Sequence, residues 1–361
     1  MMKGKYLTAL AAVTAVIAVA AIIATRMQAP SGPEAGLGEA IYPGLAAKLN
    51  AVEKFTVARK EGNFTLVRNG DAWTAMEKSD YPADFAKIRR TMLEIADLKK
   101  LEAKTSSSAN YAALEVEDLT ALDAKSTRVV LEDSNGATVV DLFVGKARFG
   151  RGGAEGDGVY VRKAGEAQSW LAKGRLTVDR DVVQWLDRKL VDVVEGRVRQ
   201  VTIVQADGAK LVVKRDKPAD KDFVIADAPA DRKIKAQFDV NNIGGAFAGV
   251  ELDEVRKPAE ISFAAGRPYA EAVTFDGLTV RADIGEKDGK TWVRFVARAE
   301  PPAQLPQADD EAAKKLKSAD EVRKEAESIN TKFGGWVYML PNWKIDPMRK
   351  KLDDLLESKP S

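Results

Sequence analysis

The sequence of 361 residues contains no cysteine and no histidine. Without a thiol, the chain forms no disulfide, carries no lipid-modified cysteine and has no cysteine nucleophile. Without an imidazole, it lacks the side chain that most often serves as a general base near neutral pH, so catalytic triads that use histidine are excluded. Zinc sites built from cysteine or histidine are excluded as well. These two absences remove a large part of the usual catalytic chemistry.

The chain also lacks a strong excess of either charge, since 56 Lys and Arg residues face 54 Asp and Glu residues. A net charge of +2 gives no global field for a polyanion, so we expect no nucleic-acid partner. The glycine-rich segment Gly145–Gly158 matches neither the P-loop nor the dinucleotide pattern and leads into a strand, which indicates a hairpin loop. No calcium-loop pattern occurs. We therefore expect no metal, no cofactor and no catalytic residue.

Acidic pairs and tryptophans are the remaining candidates for chemistry. Asp179 and Asp181 are typical of capping charges near a helix start, and Asp353 and Asp354 of a solvated face. A glycosidase needs only two carboxylates, but no pair stands out. Six tryptophans could stack on sugars, although core packing is the favoured interpretation.

The N-terminus carries the longest uncharged run, Tyr6–Thr25, which is 20 residues long. As a helix rising 1.5 Å per residue it would span about 30 Å, the thickness of a hydrocarbon core. Lys3 and Lys5 precede it, so the positive-inside rule places the N-terminus in the cytoplasm and the body in the periplasm. We therefore predict a single-pass inner-membrane anchor over residues 1–26 and a tether over 27–50. A cleaved signal peptide is the alternative.

The body repeats itself. Val52–Arg68 returns as Val198–Lys214 at a constant offset of 146, so that Val67 falls on Val213. Similar echoes continue to the C-terminus, which indicates a tandem duplication with copies at 51–195 and 196–361. Short strands alternate with few helices, so we predict an α+β fold of antiparallel sheets with helices packed on one side.

Several elements are predicted within each copy. An apolar stripe from Phe85 to Leu101 follows Pro82 at three- and four-residue spacing, which is typical of an amphipathic helix. Asn135-Gly136 between two strand-like runs predicts a hairpin of Thr127–Asp133 and Thr138–Val144. A strand is also predicted at Glu260–Phe263. Further helices are predicted at Val178–Val191, Ala230–Phe247 and Pro347–Leu356.

The second copy contains an insertion at about 298–334 where the first copy has a short turn. Its charged sequence predicts a helix with a narrow apolar seam. One interpretation places that helix on its own sheet. The other makes it a docking helix, in which a partner contacts Leu316, Val322, Ile329 and Phe333.

Four short segments support a resemblance to a known family. They are Pro82–Asp84, Val144-Gly145, Gly158–Val161 and Trp336–Tyr338. With the anchor and the duplicated halves, they resemble the domain of unknown function DUF4340. The resemblance implies a protein encoded beside ABC-type transport components of the gliding-motility or auxiliary type, and it implies no catalytic residues.

Two functions follow as expectations. The first is a non-enzymatic, membrane-anchored periplasmic accessory protein of an ABC-type transport or export complex, with the membrane subunits as partners. The alternative is an envelope-ligand binding protein, for a glycan or a peptide, or a carbohydrate-active enzyme that uses only carboxylates. The alternative requires an exposed tryptophan beside at least two carboxylates.

Overall fold

The computed structural model describes residues 36–149, 157–261, 263, 268–302, 305 and 311–358. The predicted anchor and most of the glycine-rich loop lie outside these residues. Within the described ranges, no helix is both long enough and apolar enough to cross a membrane. Contacts divide the chain into two units, 1–76 with 83–185 and 77–82 with 186–361. The predicted boundary after residue 195 stays a prediction.

The first sheet has nine antiparallel strands in the order β4-β3-β2-β1-β6-β7-β8-β9-β5. Its strands are β1 (Val52–Arg59), β2 (Gly62–Asn69), β3 (Ala72–Ala75), β4 (Tyr81–Pro82), β5 (Lys99–Ala103), β6 (Thr127–Asp133), β7 (Thr138–Arg148), β8 (Gly158–Lys163) and β9 (Ser169–Lys173).

The second sheet has eight antiparallel strands in the order β12-β11-β10-β14-β15-β16-β17-β13. Its strands are β10 (Val198–Val204), β11 (Lys210–Lys214), β12 (Val224–Ile225), β13 (Glu254–Arg256), β14 (Tyr269–Thr274), β15 (Leu278–Lys287), β16 (Lys290–Ala299) and β17 (Val337–Met339). Apart from the two-residue strand β4, the two sheets follow the same order strand for strand. The α+β class is thereby confirmed.

Few helices accompany the sheets. The α-helices are α1 (Phe85–Asp97), α2 (Tyr111–Leu114), α3 (Gln237–Gly244), α4 (Ala319–Phe333), α5 (Asn342–Ile345) and α6 (Leu352–Leu355). The 3-10 helices are Leu45–Ala51, Met76–Lys78, Ser108–Asn110, Val182–Trp185, Glu195–Arg197, Pro258–Glu260, Ala313–Lys315 and Pro347–Arg349.

The hairpins that open the two copies differ in length by one residue. In the first copy Val57 lies opposite Phe64. In the second copy the equivalent Ile203 lies opposite Leu211. The constant offset of 146 is therefore wrong beyond the first hairpin turn, because the connection in the second copy is one residue longer. Leu66, not Val67, is the counterpart of Val213, and both side chains are buried on the core face.

Helix α1 covers the core face of the first sheet. The Asp84 carboxylate accepts the Lys87 N–H at 3.0 Å and so caps the helix. Ile88 and Ile95 are fully buried. The predicted stripe is wrong at its two ends, since Phe85 is 47% exposed and Leu101 lies in β5 at 40% exposure.

Two predicted helices are shorter in the structure. Only Val182–Trp185 of the predicted segment 178–191 is helical, as a single 3-10 turn. There the Trp185 indole donates to the Asp179 carbonyl at 2.9 Å and its ring packs 5.0 Å from Phe55, which favours the tight turn over a regular helix. Helix α3 covers only Gln237–Gly244 of the predicted 230–247. Before it, Ile234 forms an antiparallel bridge with Leu356, and at its end Gly244 and Gly245 weaken the helix.

Two further predictions near the C-terminal half are corrected. Glu260, the first residue of the predicted strand Glu260–Phe263, belongs to a 3-10 turn. The strand that pairs with β17 is Glu254–Arg256, which ends four residues before Glu260. The predicted final helix divides into the 3-10 turn Pro347–Arg349 and the short helix α6.

Candidate functional site

The insertion in the second copy folds around helix α4. The Ser318 hydroxyl accepts the Glu321 N–H at 3.4 Å, and the Glu321 carboxylate accepts the Ser318 N–H at 2.8 Å. This capping box satisfies amide groups that would otherwise lack partners at the helix N-terminus. It explains why the regular helix begins at Ala319, three residues after Leu316.

The apolar seam of α4 faces the second sheet. Val322 is fully buried, and Ile329 and Phe333 are 7% and 8% exposed. The Phe333 ring meets the Tyr338 ring edge-on with 6.2 Å between centroids. Leu316 precedes the helix and is partly buried. Val322 thus lies within the core and the other three lie at its margin, and contact between these four residues and a partner stays a prediction.

A buried cation joins α4 to the body of the second unit. Arg197 is 1% exposed; its Nε donates to the Asp276 carboxylate at 2.8 Å, and its two terminal nitrogens donate to the Glu325 carboxylate at 3.0 and 2.9 Å. The Lys317 amide donates to Asp276 at 2.9 Å, and the Thr274 hydroxyl donates to it as well. Fork-shaped contacts of this kind fix geometry as well as charge.

The network also sets the protonation of its buried carboxylate. Burial raises the pKa of Asp276. The hydrogen bonds from Arg197, Lys317 and Thr274 lower it by more than burial raises it, so the pKa of Asp276 lies below its usual range. Asp276 is therefore charged at neutral pH although its side chain is fully buried.

A second contact ties α4 to the free edge of a strand. The Asn330 side-chain amide accepts the Ala297 N–H at 2.8 Å and donates to the Ala297 carbonyl at 2.7 Å. Strand β17 pairs with β16 only at Val293 in the described residues. Asn330 thus supplies to the open edge of β16 the two hydrogen bonds that a neighbouring strand would make.

An open groove of about 470 Å³ runs beside α4. Its apolar floor is formed by Leu190, Val191, Ile329 and Phe333. Its rim carries Glu321, Lys324, Ser328 and Lys332, which follow one side of the helix at three- and four-residue spacing. Lys324 and Lys332 form no salt bridge with any residue that the structure describes.

The acidic pairs have structural partners. The Asp181 carboxylate accepts the Val183 N–H at 3.0 Å, as a capping charge does, and Asp179 pairs with Lys87. Asp353 is exposed yet pairs with Arg232. In the described ranges no group of three or more Asp or Glu side chains lies close enough to hold a metal ion.

The tryptophans divide into a buried and an accessible group. Trp73, Trp170, Trp185 and Trp292 are buried, with exposures of 2%, 9%, 0% and 1%. Trp336 is partly covered, with the Lys257 ammonium 3.5 Å from its ring centroid. Trp343 is 68% exposed, and the charged group over its ring is the Lys344 ammonium, not one of the carboxylates that a sugar-cleaving site requires.

Sequence reasoning missed the residues that hold α4 in place. Arg197 and Asp276 are separated by 79 residues, and Arg197 and Glu325 by 128. No local pattern marks a contact of that separation. The only signal is the capping box, which predicts where the helix starts but not what it is bound to.

Comparison with known proteins gives one result. A family model described as a domain of unknown function, DUF4340, matches residues 73–262, from β3 to just beyond β13. The insertion with α4 lies outside the matched segment. No curated protein matches the chain. Because the family model covers more than half of the chain, this protein belongs to the DUF4340 family.

Proposed function

We propose that this protein is a non-enzymatic accessory subunit of an ABC-type transport complex, anchored in the inner membrane with its body in the periplasm. The uncharged run Tyr6–Thr25 and the genomic setting that the family resemblance implies support the location and the complex. An anchor confines the body to the membrane plane and raises its effective concentration near a membrane partner.

One observation carries the partner-binding role. Helix α4 occurs in one copy only, and its inner face is fixed by the Arg197 network and by Asn330, while its outer face remains charged and exposed. A helix fixed in this way loses little conformational freedom on binding, which favours its use as a docking element.

The chemistry of the outer face indicates the kind of partner. Lys324 and Lys332 stand two turns apart on the groove rim without salt bridges among the described residues. An acidic segment of a transporter subunit, laid along the groove, would pair with both lysines while its apolar side chains reached the floor. Charged rims of this type affect the association rate and specificity more than the final affinity.

The test is crosslinking in cells followed by affinity purification of the full chain. The variant Lys324→Glu with Lys332→Glu reverses the rim without touching the buried seam. We expect transporter subunits to be recovered with the unmodified chain and recovery to fall about tenfold with the double variant, because like charges then face each other. The matched control is Lys210→Glu with Lys290→Glu, an equal change of charge at exposed lysines elsewhere in the second unit.

Each outcome bears on the proposal. Recovery lost with the rim variant and kept with the control supports docking through α4. Equal recovery with all three chains moves the interface away from α4, and recovery with none rejects the transporter partner. Extraction of the chain from membranes by alkaline carbonate would reject the anchor independently of these results.

A further inference from the structure

The two copies share an arginine at one position of the sheet, which a comparison of their sequences at a constant offset does not reveal. Corrected for the longer hairpin of the second copy, the sheet register makes Arg68 the counterpart of Arg215, each two residues beyond a buried strand residue, Leu66 or Val213. Both arginines donate to backbone carbonyls at or just before the start of the first strand of their copy. The Arg68 guanidinium donates to the Asn50 carbonyl at 3.0 Å. The Arg215 guanidinium donates to the carbonyl of Val198, the first residue of β10, at 2.8 Å, and also to the carbonyl of Glu195.

An aromatic residue accompanies each arginine. Trp73 lies directly opposite Arg68 across β2 and β3. Phe223 stands at the corresponding place in the second copy, because it lies two residues before Ile225 as Trp73 lies two residues before Ala75. The Arg215 guanidinium is 4.8 Å from the Phe223 ring centroid.

In the second unit this position is closed. Arg215 is 6% exposed, donates a further hydrogen bond to the Asp220 carbonyl at 3.0 Å and lies near a second ring, Phe275, at 5.9 Å. Helix α3 approaches through Gly244, where an added Cβ would stand 2.2 Å from the Phe223 ring. The glycine therefore lets the ring fill the space beneath the helix.

In the first unit the same position is an open cavity of about 380 Å³. Met92 of helix α1 lines this cavity, whereas in the second unit Gly244 of helix α3 lies against the Phe223 ring. The cavity has a buried floor of Leu49, Trp73 and Met92. At its mouth Phe85 and Leu93 are 47% and 43% exposed and lie in one row of α1 with Arg89 between them.

The cavity is positively charged and lacks a counter-charge. Arg68 donates to the carbonyls of Gly70 and Asn50, and no carboxylate neutralises it in the described residues. The Arg89 side chain is exposed and forms no hydrogen bond or salt bridge with any described residue. None of the described residues that line the cavity is acidic. Two arginines above an apolar floor provide a site for one acid group attached to an apolar body.

We propose that this cavity binds an acyl carboxylate, with its acid group on Arg68 and Arg89 and its chain against Leu49, Phe85 and Leu93. The volume is within the range of roughly 300–1,000 Å³ found for small-molecule sites. A peptide acid fits less well, because its amide groups would need partners, and among the described lining residues Asn50 and the Trp73 indole are the only uncharged side chains that can supply them. This inference is independent of the proposed function, since it concerns the other unit.

The test uses the full chain in native membranes and a decanoate analogue carrying a diazirine, with labelled peptides identified by mass spectrometry. We expect labelling of segments 45–52 and 85–93, displaced by decanoate and not by decanol. Arg89→Met should raise the decanoate concentration needed for displacement about tenfold, because the acid group loses a charged partner. We expect this variant to fold, because the Arg89 side chain is exposed and has no polar partner among the described residues.

Arg90→Met is the matched control, one residue further along α1 and outside the cavity lining, and should leave displacement unchanged. Leu93→Trp, which fills the mouth, should abolish labelling. Equal competition by decanol, an equal effect of Arg90→Met, or labelling elsewhere on the chain would overturn the proposal. Stronger competition by an acetylated apolar tripeptide acid than by decanoate would overturn the acyl assignment in favour of a peptide.

Discussion

At the scale of the residue, Arg197 shows how one buried cation holds separate segments of the second unit together. Its guanidinium binds Asp276 after β14 and Glu325 on α4, and the side chains of Arg197 and Asp276 are almost completely buried. Buried ion pairs contribute little compared with an apolar substitute, yet removal of one partner leaves an uncompensated charge. The effect of the network on stability is therefore largest when one of its charged partners is removed and the other is kept.

Arg197→Met is expected to lower the free energy of unfolding by about 3–5 kcal/mol, because Asp276 would be left buried and charged. The measurement is urea denaturation of the purified full chain. Arg349→Met is the control, since it breaks an exposed pair with Glu286 and should cost about 0–1 kcal/mol. Equal costs for the two variants would contradict a special role for the buried pair.

The same variant should change the dependence of stability on pH. The pKa of Asp276 is lowered in the native protein, so its contribution is present above the ordinary carboxyl pKa of about 3.9 and is lost as pH falls through the lower native value. In Arg197→Met the unpaired carboxyl is protonated more readily. The difference between the two proteins should therefore be smaller at about pH 4 than at pH 7. A constant difference would exclude Asp276 as its source.

At the scale of the element, helix α4 replaces a missing strand neighbour. Local sequence predicts the helix well, because the capping box marks its start and the seam of Val322, Ile329 and Phe333 has helical spacing. The contact of Asn330 with Ala297 could not be predicted, because a single asparagine carries no signal for the strand edge that it covers. The same limitation applies to Val182–Trp185, where tertiary contacts of Trp185 outweigh the helical pattern.

Asn330→Ala should cost about 1–3 kcal/mol of stability, because the N–H and carbonyl of Ala297 lose their partner at a strand edge. Hydrogen–deuterium exchange should show faster exchange of the Ala297 amide and of the last turns of α4. Glu327→Ala, on the exposed side of the same helix, should stay within about 0.5 kcal/mol. Unchanged exchange at Ala297 would show that this edge does not depend on Asn330.

At the scale of the whole molecule, a short segment of the first copy belongs to the second unit. Residues 77–82 group with 186–361, and within that unit the Tyr81 ring packs 5.0 Å from Trp336 and 6.2 Å from Tyr338. The Tyr81 hydroxyl donates to the Asp187 carbonyl at 3.3 Å. The copies that the sequence suggests are thus not the same as the units that contacts define.

Tyr81→Ala should cost about 3–5 kcal/mol, because a buried aromatic ring is removed from the core of the second unit. Hydrogen–deuterium exchange should locate the loss of protection at β17, more than 250 residues away in sequence. Tyr111→Ala removes a similarly buried ring from the first unit and should affect the surroundings of Val116 and Phe143 instead. The reverse pattern would contradict the division into these units.

The sequence by itself determined the duplicated order of strands, the α+β class, the helix in the insertion and the poverty of catalytic side chains. These properties follow from local periodicity, turn residues and composition, which act over a few residues. Only the tertiary structure decided that the apolar seam of α4 faces its own sheet, that Arg197 clamps Asp276 and Glu325, and that the arginine shared by both copies is enclosed in one and open in the other. The first two outcomes depend on contacts between segments that are distant in sequence. The correspondence of the two arginines appears only once the pairing of the strands shows that one hairpin is a residue longer.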